Sequence, residues 1–141
     1  MSKTVSVIGL GLIGGSIALD LKKSGFASKI IGVDKSKLHE KQALELSIAD
    51  AIMSLEEAVC ASDLIILSTP VDVSMKLLPA ILDRLPSNAV LMDVGSTKSS
   101  LIEKVKNHIK RKFYVASHPM AGTEYSGPSA AFHGLFKDRA A

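Results

Sequence analysis

Apolar residues along the chain form short continuous runs, separated by stretches in which they recur every three or four positions. Val5, Val7 and Ile8, with the β-branched Thr4, suit a strand buried on both faces. From Ile13 through Ile17, Leu19 and Leu21 the spacing becomes helical to about Ser24, and Gly25 stands where a C-cap glycine belongs. Ile30 to Asp34 reads as a second strand. A helix from about Ser36 carries Leu38, Ala43, Leu44 and Leu46, and Ile48 to Ile52 gives a weak third strand or a turn. Ser54-Leu-Glu-Glu57 has the form of a capping box and opens a short helix reaching about Ala61. Leu64-Ile-Ile-Leu67 is the apolar run of a central parallel strand, broken at Ser68-Thr69-Pro70. The helical pattern from Val73 to Leu85 contains Pro79, which predicts a kink or the start of a second short helix. Ala89 to Val94 is the next strand, Ser99 to about Ile109 the next helix, and Phe113 to Ser117 the last strand, which runs into His118-Pro119.

Strands alternate with helices throughout, which predicts one α/β domain with a mainly parallel sheet covered on both faces. Gly9 and Gly11, Asp34, Ser68 to Pro70, Gly95 to Lys98, and His118 each lie just past the end of a predicted strand. In a parallel sheet those ends share one edge, the edge where open α/β sheets bind ligands.

The first of these strand ends carries Gly9, Gly11 and Gly14, spaced as G-x-G-x-x-G between a strand and a helix. Gly9 lets the chain turn off the strand, Gly11 lets a pyrophosphate approach the backbone, and Gly14 lets the helix pack close to the strand. The helix then directs its N-terminal N–H groups and positive dipole end at the phosphates. The motif alone is a weak signal. Asp34, twenty positions after Gly14 at the end of the second strand, strengthens it, because an acid there meets the adenine ribose hydroxyls. A carboxylate at that point favours NAD over NADP, although Lys35 and Lys37 beside it could tolerate a phosphate.

Composition narrows the alternatives. The chain has 141 residues, enough for one domain with a core, and 47% of them are hydrophobic. Seventeen basic residues against fourteen acidic ones give a net charge of +3, too mild to imply nucleic acid. With four phenylalanines, two tyrosines and no tryptophan, there are few platforms for stacking bases. The basic run Lys104, Lys106, Lys110, Arg111 and Lys112 reads as a solvated helix end. Cys60 is the single cysteine, so no internal disulfide forms, and its neighbours Ala58, Val59 and Ala61 predict a small buried residue rather than a nucleophile. Lys3 precedes a mostly apolar run, but that run is dense in glycine, meets Asp20 and lacks a cleavage site. No stretch approaches the ~20 apolar residues of a membrane span, so a cytoplasmic location with no membrane partner is expected.

His118 is the best candidate for proton chemistry, because an imidazole titrates near neutrality and Pro119 fixes the backbone beside it. His39 and His108 fall on predicted helices among charges and read as surface residues. No two histidines have metal-ligand spacing, so no metal site is expected. Ser96 suits a helix N-cap or a hydroxyl that orients a histidine or a substrate oxygen, and could be both. Lys98 is either a solvated first-turn lysine or, since a cation there opposes the helix dipole, a functional one. Glu124 alone would read as a surface carboxylate.

Three of these stretches together resemble the prephenate and arogenate dehydrogenases of tyrosine biosynthesis: Gly9-Leu-Gly-Leu-Ile-Gly-Gly-Ser16, Asp93-Val-Gly-Ser-Thr-Lys98 and His118-Pro-Met-Ala-Gly-Thr-Glu-Tyr-Ser-Gly127. The first is shared with many dehydrogenases, whereas the other two, in this order, are more specific. The resemblance runs along essentially the whole chain. It implies a Rossmann-type doubly wound domain over residues 1–141 and NAD-dependent oxidative decarboxylation of prephenate to 4-hydroxyphenylpyruvate, with arogenate as the alternative substrate. It implies that His118 accepts the hydroxyl proton, that Ser96 hydrogen-bonds beside it, and that Glu124 and Lys98 line the substrate pocket. Gly9, Gly11, Leu12, Ile13, Gly14, Asp34, Ser68, Thr69 and Pro70 then fall to the cofactor. Members of the family carry a further helical domain that forms a homodimer interface and supplies an arginine to the substrate. The chain therefore reads as an N-terminal fragment that binds NAD with little turnover of its own. Two other readings stay open: a different hydroxy-acid dehydrogenase, and a non-catalytic NAD-binding module.

Overall fold

A computed structural model of the chain describes residues 3–95, 98–117, 128 and 131. Among them are β1 (Lys3–Ile8), α1 (Leu12–Lys23), β2 (Ala27–Val33), α2 (Lys37–Glu45), β3 (Ala51–Ile52) and α3 (Leu55–Ala61). There follow β4 (Leu64–Leu67), α4 (Val71–Arg84), β5 (Val90–Asp93), α5 (Ser99–Val105), a 3-10 turn (Arg111–Phe113) and β6 (Tyr114–Ala116).

Burial on both faces explains the apolar runs. Along β1, Val5 and Val7 face a cluster with Ala18 of α1 and Ala43 of α2. Ile8 faces the opposite cluster with Val59 of α3, Leu78 and Leu82 of α4, and Leu101 of α5. In β4, Ile66 joins the first cluster, and Ile65 and Leu67 join the second. This period of two is the strand's own. Each large apolar side chain fully buried in this way contributes about 1.5–3 kcal/mol relative to exposure.

The six strands are parallel, in the order β3-β2-β1-β4-β5-β6. Val5 of β1 pairs with Ile30 on one side and Leu64 on the other. The chain builds outward from β1 to β3, then returns to lay β4 on β1's free side. The strand order therefore reverses between β1 and β4, and the carboxyl ends of the strands open a crevice there.

Local chemistry sets the boundaries. Gly25, at φ +83°, follows the end of α1. Ser36 caps α2 by accepting the His39 N–H, and Ser54 with Glu57 forms the expected capping box on α3. Pro79 neither ends α4 nor starts a new helix. It lies within one helix from Val71 to Arg84, whose residues Leu78, Ile81 and Leu82 are buried around it, so packing outweighs the missing N–H.

The sequence reading needs correction at the end of α5 and on α3. The helix predicted to reach Ile109 stops at Val105, and Ile109 is 91% exposed. His108 holds a turn there instead. Its N–H donates to the Val105 carbonyl at 2.9 Å, and its Nδ1 accepts the Lys110 N–H at 3.0 Å, which leaves Nε2–H to donate to Asp83 Oδ1 at 2.7 Å. His108 is thus a partly buried turn residue rather than a surface helical one. Cys60 is exposed, because Ala58 and Val59 take the inward positions of α3 and the next residue turns outward.

Candidate functional site

The glycine turn is shaped by what surrounds it. At φ +96° Gly9 lies in the left-handed region, and a Cβ there would sit 2.6 Å from the Ser68 carbonyl oxygen. A Cβ on Gly14 would collide with the Gly9 carbonyl and the Ser68 hydroxyl. Among the described residues, a Cβ on Gly11 would meet nothing within 4 Å. The first and third glycines are therefore required by the protein's own packing, whereas Gly11 fronts open space. Gly11 is also the N-cap of α1, and among the described residues no side chain caps that helix or places an acid in its first turn. The N–H groups of Leu12, Ile13 and Gly14 belong to that uncapped turn.

Two neighbouring strand ends fix the turn. Gly9 N–H donates to the Val33 carbonyl at 2.8 Å. From β4, Ser68 Oγ lies 3.0 Å from the Ile8 carbonyl and 2.6 Å from that of Gly9, and Ser68 N–H donates to the Ile8 carbonyl at 2.8 Å. Asp34 closes the other side. Its Oδ2 accepts the Leu10 N–H at 2.8 Å, its Oδ1 accepts the Ser36 N–H at 2.8 Å, and His39 Nδ1 lies 3.5 Å from Oδ2. The carboxylate is mostly buried, and each oxygen keeps acceptor capacity beyond its backbone bond.

These residues border a cleft of about 850 Å³ over the β1–β4 crevice. Gly9, Gly11 and Asp34 line one part of it, and Ser68, Thr69 and Pro70 another. Apolar walls come from Met53, Val73 and Leu77. The sequence had shown the glycines, the acid and the Ser68–Pro70 loop, but not this wall. Val73 and Leu77, four apart at the start of α4, carry the same helical spacing as core positions. His39, expected at the surface, faces the cleft. Leu12 is buried, so it can serve a ligand only through its backbone N–H, whereas Ile13 is partly buried against the core.

A second cluster lies further along the same edge. Asp93, 1% exposed, ends β5. Its Oδ1 accepts the Tyr114 hydroxyl at 2.6 Å, and its Oδ2 accepts the Gly95 N–H at 3.1 Å and pairs with the Lys98 ammonium. Burial, then the bond to Asp93, raises the Tyr114 hydroxyl well above its ordinary value, so it stays protonated and donates. Asp93 escaped notice as a site residue although it is an acid closing an apolar strand. Ser96, His118 and Glu124 lie outside the described residues.

A parallel sheet of this strand order, with a glycine turn at its switch point and an acid at the end of β2, defines a dinucleotide-binding domain. Residues 17–141 match the family model described as prephenate dehydrogenase, nucleotide-binding domain, and the chain belongs to that family. It is 38% identical over 140 residues to the prephenate dehydrogenase of Lactococcus lactis, covering 96% of this chain and 39% of that protein. The crystal structure of A. aeolicus prephenate dehydrogenase with hydroxyphenyl propionate and NAD+ superposes with a TM-score of 0.87 at 32% identity, covering 97% of this chain and 48% of that one. Synechocystis arogenate dehydrogenase gives 0.85 at 29% identity, covering 96% and 48%. The chain spans between 38% and 47% of the curated relatives it matches.

Proposed function

We propose that the chain binds NAD in the cleft over the β1–β4 crevice and forms the cofactor half of an enzyme that oxidatively decarboxylates prephenate. The observation that carries this reading is the join between the glycine turn and Asp34, whose carboxylate is held by the Leu10 and Ser36 N–H groups with lone pairs to spare. That geometry fits the group: open space in front of Gly11 for a pyrophosphate, the uncapped start of α1 behind it, and a fixed anion for ribose hydroxyls. Met53, Val73 and Leu77 supply apolar surface suited to an adenine. The Asp34 charge disfavours a 2′-phosphate. The relative solved with NAD+ supports the same choice.

Bound NAD supplies a hydride acceptor. This chain's part is then to hold and deprotonate the substrate. His118 takes the proton of the substrate's ring hydroxyl as the hydride leaves the same carbon, and carbon dioxide departs as the ring becomes aromatic. Ser96 orients that imidazole or a substrate oxygen, and Lys98 and Glu124 border the substrate. The resemblance in sequence supports these roles. So does Ser117, whose N–H donates to the Asp93 carbonyl at 3.1 Å, at the carboxyl end of β5. The chain thus approaches the His118 motif along the rim that bears Gly9 and Asp34. Arogenate is the second substrate reading, favoured by the similarity to the Synechocystis enzyme.

The relatives are more than twice as long, so we assign the substrate's carboxylate anchor to residues beyond these. Titrating NAD into this chain, then adding prephenate or arogenate and following NADH, tests both parts. Saturable NAD binding with no NADH is expected. Failure to bind NAD overturns the cofactor reading, and rapid turnover by this chain alone overturns the division of labour.

A further inference from the structure

Two separate stretches of the carboxyl edge meet at Asp93. The chain leaves β5 there and comes back to it at Lys98, whose ammonium pairs with Oδ2 and ties residues 95–98 to the strand end. Gly95 N–H donates to the same oxygen at 3.1 Å. The neighbouring strand approaches from the other side. Tyr114 of β6 donates its hydroxyl to Oδ1 at 2.6 Å, and Ser117 N–H donates to the Asp93 carbonyl at 3.1 Å. One residue therefore holds both the stretch that contains Ser96 in sequence and the strand that runs into His118.

A carboxylate is costly to bury unless it is paired and hydrogen-bonded, and a buried ion pair adds little stability over apolar packing. Asp93 is buried with both oxygens engaged, so it touches no substrate. Lys98, at the start of α5, has no side-chain capping bond and puts a cation where the helix dipole disfavours one. The pair with Asp93, not the helix, accounts for its placement. We propose that Asp93 is a positioning residue for the proton chemistry: through Lys98 and Gly95 on one side, and Tyr114 and Ser117 on the other, it sets the Ser96 stretch against the end of β6 that leads to His118. The inference rests on reading Ser96 as the hydroxyl that orients the His118 imidazole. It also limits Lys98, whose charge is already balanced by Asp93 and which therefore offers a substrate a donor with little net charge.

The test is an NMR pH titration of the histidine rings of this chain, with His118 assigned by the signal that His118→Gln removes. In wild type, Ser96→Ala is expected to move the His118 midpoint by about half a pH unit, the scale of one hydrogen bond. The same exchange is then made in Tyr114→Phe, which severs the β6 side without changing the charge, and in Lys98→Met, which releases the other side. In both backgrounds Ser96→Ala moves the His118 midpoint by less than half as much, while His39, near the opposite end of the sheet edge, keeps its wild-type midpoint. Lys98→Met, at the more exposed side of the cluster, decides the matter should the core variant fail to fold. An equal effect of Ser96→Ala in every background, or a His39 shift as large as that of His118, overturns the inference and leaves the Ser96–His118 reading intact. No effect of Ser96→Ala in wild type overturns both.

Discussion

The Asp34 carboxylate accepts the Leu10 backbone N–H at 2.8 Å, joining the end of β2 to the middle of the glycine turn. The same side chain accepts the Ser36 N–H and so also fixes the approach to α2. One residue therefore shapes the turn and supplies the anion beside it. Asp34→Ala leaves two part-buried N–H groups without their acceptor and should cost about 1–3 kcal/mol in denaturant unfolding, besides weakening NAD. Asp34→Asn should recover part of the stability, because one acceptor oxygen remains. Equal stability of wild type and Asp34→Ala would show that the carboxylate does not hold the turn.

Gly14 makes the opposite kind of demand, for space already filled by the protein. Gly14→Ala forces a methyl into the Gly9 carbonyl and the Ser68 hydroxyl, where α1 presses on the β1–β4 junction. The better helix propensity of alanine, about 1 kcal/mol, does not offset a clash with backbone. We expect a net loss of about 1–3 kcal/mol in thermal or denaturant unfolding. A more stable Gly14→Ala variant would contradict the packing described.

At the far side of the edge, Tyr114 serves Asp93. Removing the hydroxyl in Tyr114→Phe leaves Asp93 Oδ1 buried without its donor, and should destabilise the chain by about 1–3 kcal/mol. The Tyr114 hydroxyl is raised in the folded state, so its contribution is complete below the ordinary tyrosine value of ~10 and fades as pH climbs toward the folded-state value. Unfolding curves across the alkaline range should therefore fall less steeply for Tyr114→Phe than for wild type. Parallel curves would count against the Asp93–Tyr114 bond.

Asp50 gives the acid counterpart. Burial opposes its ionisation, but the Lys22 ammonium at 2.8 Å and the Ile30 N–H at 2.8 Å prevail and hold its carboxyl below the ordinary value. The folded chain thus binds that proton less readily than the unfolded chain. Stability from Asp50 is present above the ordinary aspartate value of ~3.9 and is lost as pH falls through the lowered one. Asp50→Asn should flatten the acid limb of the stability curve slightly, because the pair is partly solvent-exposed. An unchanged acid limb would refute the role.

Much of the fold was legible because β1 and β4 are buried on both faces, which leaves continuous apolar runs that little else produces. The strand order was not, because pairing depends on which side of β1 the chain returns to, and no local pattern records that. The glycines and Asp34 could be read from spacing, since strand, turn, helix and acid follow in sequence. His39 could not: its place beside the cleft follows from the tertiary position of the α2 start, where Asp34 accepts the Ser36 N–H and Ser36 accepts the His39 N–H. Cys60 was misplaced because α3, at seven residues, is too short for periodicity to say which face turns inward. Asp93 stood in a quoted motif, but its burial became visible only when β6 brought Tyr114 beside it.

The most direct measurement is a paired one on Gly11→Asp, comparing thermal unfolding and NAD titration with wild type. The Cβ of an added side chain meets no atom of the described residues within 4 Å, and aspartate is a good N-cap that suits the start of α1. Stability should therefore hold or rise, while NAD binding disappears because bulk and negative charge occupy the pyrophosphate's place. A Gly11→Asp variant that folds and still binds NAD as tightly as wild type would contradict the location of the cofactor site.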